Sequence, residues 1–365
     1  MTSNLDMCRG LTRAAYDAVI EARDAVGRKS VETRGADHSI FQHETKAEEA
    51  ITEYLRKQSE KRPGLRIGLG VELIDRPFAI HRGTVTQMSY DEIKDFADVY
   101  FLVDPIDGSK ADIPVLQAYV VGTGYGGELK ENGTIQIGGT QEAYVTAIMC
   151  TPSEPTLKKA LGCSMTRFDG TEFFADEYSA YVSDDGRRRS GPVAAEQLDD
   201  ININTKFYTA AHYGHAAELA TLVIGTLLRE LSIPEERSPG VRSTGSTTFD
   251  MLQPGMTRSI AFDIRDELNK EMKKRGIAMK RGAYTHDFAP PTFWARRAGA
   301  RVSDLDGSEL DCDLFTYEKA SYLVAPPGKA GETVRKVLAD KVMPKLPALA
   351  DILEKELNWT HAKKD

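Results

Sequence analysis

The spacing of apolar residues divides this chain into stretches of different period. Leu5, Cys8, Leu11, Ala15, Ala18, Val19, Ala22 and Val26 recur at helical spacing and predict a helix over 5–28. A second helix is expected from Thr45 to Glu60, through Ala47, Ala50, Ile51 and Leu55, with Pro63 and Gly64 ending it. The runs LRIGLGVELI (65–74), VYFLV (99–103), QAYVVGTGY (117–125), TIQIGG (134–139) and EAYVTAIMC (142–150) read as strands. GGELKENGT and GTQ join the last three in hairpin fashion, so the first half predicts two helices followed by a largely antiparallel meander. Beyond about residue 205 the pattern changes. AAELATLVIGTLLREL (216–231), Ser259 to Lys274 and FAPPTFWARRAG (288–299) read as helices, RVSDL and SYLVAP as strands, and the stretch from Lys329 onward as closing helix. The expected division is an α+β unit over 1–204 and an α/β unit over 205–365.

Composition narrows the function classes. The chain has 365 residues, 41% hydrophobic and 28% charged, as in ordinary globular proteins. Its net charge of −8 gives no general attraction to nucleic acid polymers or anionic membranes, so an anionic substrate must be met by local cations or metal. Cys8, Cys150, Cys163 and Cys312 lie far apart, which argues against a zinc ribbon or disulfide scaffold and fits a reducing compartment. The N-terminus lacks an apolar signal-type core and no run is long enough to span a bilayer, so the expected location is the cytoplasm.

Candidate chemistry begins at DPIDGSK, Asp104–Lys110, immediately after VYFLV. A turn is one reading, since Asp-Pro and Asp-Gly are both turn-forming. A metal and phosphate site is the other. Pro105 biases Asp104 toward extended backbone, and a bend beyond it turns both carboxylates and the Ile106 carbonyl toward one place. Gly108 permits close approach of a ligand, and the amides of Gly108 and Ser109 suit phosphate oxygens. Glu72, at the end of a predicted strand, and Asp287, before a predicted helix, are further acids in comparable contexts. Carboxylates gathered at one point need cations to remain ionised, and oxygen ligands without cysteine or clustered histidine suit Mg²⁺.

These segments resemble the inositol monophosphatase family. DPIDGS looks like its DP-[apolar]-DGT signature, and HDFAPPTFWARRAGARVSD like its second, Trp-Asp-containing one. GVRSTGSTTFDML is similar to its RSxGSAAL-type segment, ETKAEEAITEYL to its acidic N-terminal helix, and GVEL to its GEE strand end. The five matches occur in the family's order and cover most of the chain. The resemblance implies a layered αβαβα sandwich of the sugar-phosphatase type and a Mg²⁺-dependent phosphomonoesterase with two or three ions.

It further implies that Glu72, Asp104 and the Ile106 carbonyl hold one ion, and Asp104, Asp107 and Asp287 another. Ser109, in the place of the usual threonine, positions the attacking water, with Glu44 or Glu72 supporting it and accepting its proton. Asp107, Gly108, Ser109, Gly245, Ser246 and Thr247 line the substrate pocket. The implied partner is a small phosphorylated metabolite, and the implied assembly a homodimer.

The chain departs from the pattern in places. GVEL has one acid where two adjacent ones are common. His286 replaces the usual tryptophan, a change expected to affect packing rather than ligation. Lys280 falls about where inositol-preferring members have glutamate. It is either part of a solvated charge run or a contact for a second anionic group, and with Lys110 it favours a 3′-phosphonucleotide or sugar bisphosphate as the alternative substrate. Two further alternatives are a haloacid dehalogenase-type phosphatase, whose DxDG[TV] signature the acids of DPIDG, three apart rather than two, do not fit, and a non-catalytic binding protein retaining the fold. Arg187–Arg189 read as an exposed loop tip, His212 and His215 as surface imidazoles, DLDGSELDCD as a hairpin turn, and Ser246 and Thr247 alternatively as helix caps.

Overall fold

VYFLVDPID forms one continuous strand, Val99–Asp107, all nine residues of it buried. The structure is a computed structural model. It describes residues 3–26, 31–34, 38–72, 76–107, 117–118, 135–136, 143–184, 187–189, 202–206, 223, 225–232, 241–242, 246–279 and 282–361.

The strand lies inside a nine-stranded sheet. Ile67–Val71 pairs parallel to it on one side, and Tyr144–Cys150 antiparallel on the other. Beyond Ile67–Val71 come Phe78–His81 and Thr84–Gln87; beyond Tyr144–Cys150 come Gly162–Arg167, Glu172–Asp176, Ala180–Asp184 and Arg187–Arg189. Val99, Phe101, Val103 and Ile106 pack on the face covered by the helices Asn4–Val26 and Gln42–Lys61. Tyr100 and Leu102 pack on the opposite face, under the helices Thr247–Met256 and Thr285–Arg297.

A five-stranded sheet follows, in the order Val241–Arg242, Asn202–Lys206, Ser259–Asp263, Tyr322–Ala325, Arg301–Ser303. Its strand Asn202–Lys206 straddles residue 204. Ala261, Tyr322 and Val324 face the two middle helices. Ile260, Phe262, Leu323 and Ala325 face away, into a cluster with residues of the helices Arg265–Lys274, Lys329–Val337 and Leu346–His361. Successive residues thus alternate between two buried faces, and the layers read helix, sheet, helix, sheet, helix: an α+β, αβαβα sandwich.

Several expectations change. Ser259–Lys274 is not one helix. SIAFD is a strand, Asp263 then accepts from the Arg265 amide at 2.8 Å, and helix begins at Arg265. Both faces of SIAFD are buried, and an apolar run buried on both sides shows no period of two. The strand expected over 99–103 does not stop at Val103 but continues through DPID. Arg187–Arg189 form an edge strand paired with Ala180–Asp184 rather than a loop tip. The expected strands 117–125 and 134–139 are described only as the antiparallel pair Gln117–Ala118 and Ile135–Gln136. Asp304–Ser308 closes as a turn, with Gly307 at φ 91°. The four cysteines are buried and unpaired. Among the described residues no helix is long and apolar enough to cross a membrane.

Candidate metal centre

Asp104 and Asp107 are three positions apart, an odd spacing that would place their side chains on opposite faces of a regular strand. The pairing shows why they share one face. Asp104 lies opposite Thr146 and Asp107 opposite Tyr144, three steps on one strand against two on its neighbour. This one-residue bulge contains Pro105, whose missing amide proton costs nothing where the ladder is already broken. The Ile106 amide turns instead to Asp104 Oδ1 at 2.9 Å. Ile106 is buried with its side chain among the outer-helix cluster, while both carboxylates point to the inner-helix face.

Glu72 reaches the same place through the parallel neighbour. Val71 is in register with Val103, and the Glu72 amide continues the ladder to the Val103 carbonyl at 3.0 Å. Glu72 therefore stands beside Asp104. Asp287 arrives from the inner helix Thr285–Arg297, where Oδ2 accepts from the Tyr284 amide at 2.8 Å and closes the first turn. Side-chain ligand atoms of Asp104, Asp107 and Asp287 all lie within 4.8 Å of one another, as do those of Glu72, Asp104 and His286. Asp104 belongs to both groups.

Asp107 has a second attachment. Its Oδ2 accepts from the Ser246 hydroxyl and the Thr248 amide, each at 2.6 Å, and its Oδ1 from the Thr247 amide at 3.3 Å. The helix Thr247–Met256 thus presents its N-terminal donors to a buried carboxylate, which its dipole favours. Ser246 is the N-cap of that helix and accepts from Phe249 at 3.0 Å.

The electrostatics follow from crowding. Burial, then repulsion from Glu72, Asp107 and Asp287, raises the Asp104 carboxyl well above the usual carboxylate range. Burial likewise raises Asp287, to about 6, with Asp107 and Glu72 adding to it and His286 opposing. Burial pushes the His286 imidazole down, but Asp287 and Glu72 outweigh it and raise it to about 9. A buried carboxylate group of this density fits divalent cations, which replace proton and repulsion together. Adding Mg²⁺ or Mn²⁺ to metal-free protein is therefore expected to raise its melting temperature. The gain is about 2.7 kcal/mol at a hundredfold excess over Kd. A thermal melt unchanged by either ion at millimolar concentration would show that the carboxylates hold no cation.

Of the residues singled out in the sequence, Glu72, Asp104, Asp107 and Asp287 come together, with Ser246 and Thr247 bound to Asp107. Glu44 lies in the first turn of the helix Gln42–Lys61 and is half-buried. Gly108, Ser109, Gly245 and Lys280 lie outside the described residues. Sequence reasoning missed Thr248, whose amide is the closer backbone donor to Asp107, and the position of His286 among the acids. A histidine beside Asp287, opening an apolar helix, was the available signal.

No family profile matches the chain, and no curated protein matches it. Solved structures do. The extragenic suppressor protein suhB from Bartonella henselae matches with a TM-score of 0.56 at 14% identity, over 91% of this chain and 96% of that one. The inositol monophosphatase of Thermotoga maritima gives 0.53 at 14%, over 92% and 96%. Inositol monophosphatase II of Staphylococcus aureus, solved with inositol monophosphate bound, gives 0.54 at 13%, over 95% and 96%; it has also been solved with 2′-AMP. With nearly full coverage on both sides and the αβαβα order of layers, the chain has the fold of the inositol monophosphatases.

Proposed function

We propose that the protein is a Mg²⁺-dependent phosphomonoesterase acting on a small phosphate monoester. The observation that carries this reading is the pair of ligand groups sharing Asp104, gathered by a strand bulge, a parallel neighbour and a helix N-terminus. Glu72, Asp104, Asp107, Asp287 and the Ile106 carbonyl would hold the cations. Bound there, the cations supply a water of lowered pKa and offset charge on the transferring phosphoryl group. Ser109, with Glu44 or Glu72, orients the attacking water and takes its proton. Gly108, Ser109 and Gly245 offer backbone amides to the phosphate, and Ser246 and Thr247 form the adjoining wall. Attack is direct, with no covalent enzyme intermediate. The same reading includes a homodimer and a cytoplasmic location, and two units whose division, expected at 204, would have to fall before the strand Asn202–Lys206 of the second sheet.

The test is phosphate release with Mg²⁺ over inositol phosphates, sugar phosphates and 3′-phosphonucleotides. Release from at least one class is expected. Cation binding without release from any would favour a binding protein that retains the fold.

A bisphosphate substrate, nucleotide or sugar, is the second reading, and Lys280 favours it. An ammonium has only donors and cannot accept polyol hydrogen bonds as glutamate would. A partly shielded charge-assisted bond to a second phosphate contributes about 1–3 kcal/mol, or roughly tenfold to a hundredfold in kcat/KM. Lys280→Glu is expected to erase that advantage and shift preference toward neutral polyol phosphates. An unchanged ratio of bisphosphate to monophosphate turnover would remove Lys280 from the pocket.

A further inference from the structure

The acids of the centre share their space with one imidazole. His286 is 3% exposed, and among the described residues neither ring nitrogen has a hydrogen-bond partner. A buried polar group left without a partner is destabilising, so an occupant for these nitrogens is called for. Its orientation is held from both sides. The Tyr284 ring stacks on it at 5.7 Å and 5° between planes, and the Tyr317 ring meets it edge-on at 5.7 Å. Tyr317 is tied in turn, donating its hydroxyl to the Val71 carbonyl at 2.8 Å, one residue before Glu72. The ring so held directs Nε2 into the carboxylates, 3.4 Å from Glu72 Oε1 and 3.5 Å from Asp287 Oδ1.

Those distances are long for hydrogen bonds, which centre near 2.9 Å. They suit atoms sharing a cation: ligands about 2.1 Å from one ion stand roughly 3–4 Å apart. Glu72, Asp104 and His286 also satisfy mutual proximity within 4.8 Å. We propose that His286 Nε2 is a metal ligand, completing with Glu72 and Asp104 a mixed nitrogen–oxygen site that prefers a first-row transition-metal dication over Mg²⁺. Imidazole is a borderline donor suited to Zn²⁺, Fe²⁺ and Ni²⁺, with Co²⁺ between the last two in the affinity series, whereas Mg²⁺ takes oxygen ligands and keeps its waters. The neighbouring group, Asp104, Asp107 and Asp287, offers oxygen only and retains the harder preference. This inference rests on the carboxylates being the cation site proposed above.

Co²⁺ and Mg²⁺ binding would be measured by calorimetry on the metal-stripped full chain, for wild type, His286→Phe and His286→Gln. The Co²⁺-loaded wild type would also be examined by proton NMR. The expected result is a hyperfine-shifted imidazole N–H resonance in the wild type, absent from both variants. Co²⁺ affinity should fall by about 10–100-fold in the variants, with Mg²⁺ affinity unchanged or higher. Phe fills the slot between Tyr284 and Tyr317, and the wild-type spectrum reads ligation without any variant. Co²⁺ binding without a shifted imidazole resonance, or equal Co²⁺ affinity in all three proteins, overturns the ligand role and leaves the cation site standing. Failure of the wild type to bind either ion overturns both.

Discussion

Asp104→Asn is expected to abolish turnover and, in metal-free protein, to increase stability. Asp104 is the ligand common to both groups of the centre, so its loss affects both cation positions. Metal stabilisation of a phosphoryl transition state is worth several kcal/mol, and each 1.36 kcal/mol is tenfold in rate, so a loss of about 10³-fold or more is expected. The stability effect has the opposite sign. The carboxyl is 1% exposed and surrounded by Glu72, Asp107 and Asp287, so neutralising it removes repulsion. Asparagine keeps an oxygen for the Ile106 amide. A gain on the order of 1–3 kcal/mol in denaturant unfolding with chelator present is expected. Near-wild-type phosphate release by a folded Asp104→Asn protein would remove the metal assignment.

Asp107→Ala is expected to lose turnover to a similar degree but to destabilise the protein. This carboxylate is bonded to Ser246, Thr247 and Thr248 and joins the nine-stranded sheet to the N-terminus of the helix Thr247–Met256. Its removal leaves a buried hydroxyl and two helix amides without their acceptor, at a cost of about 2–4 kcal/mol. Ser246→Ala, which removes one donor and the N-cap, should cost about 1 kcal/mol. The two variants should therefore share the loss of phosphate release with Mg²⁺ present, while their unfolding midpoints in chelator are displaced in opposite directions. An Asp107→Ala midpoint at or above wild type would mean that the helix end does not depend on this carboxylate.

Some of this was legible because it is written locally. The helices Asn4–Val26 and Gln42–Lys61 each expose one face, so their apolar stripes repeat at helical spacing. The strand Ser259–Asp263 was not legible, because a segment buried on both faces has no polar side to mark its period. The edge strand Arg187–Arg189 and its neighbour Ala180–Asp184 are defined by their pairing, not by any apolar run. The acids of the centre could be picked out one by one, since Asp-Pro, a strand end and a helix start are all local features.

Their assembly was decided elsewhere. The shared face of Asp104 and Asp107 depends on one extra residue against Tyr144–Cys150, which only the pairing reveals. Glu72 stands beside Asp104 because the strand before it runs parallel to Val99–Asp107, a choice neither strand encodes alone. His286 lies in the first turn of the helix Thr285–Arg297, just ahead of the 288–299 that its apolar residues predict, and its neighbours Tyr317 and Glu72 come from distant parts of the chain. Sequence by itself determined which groups could bind a cation, because ionisable chemistry belongs to single residues. Tertiary structure decided which of them meet, because distances of a few ångströms between distant segments are set by strand register and layer packing.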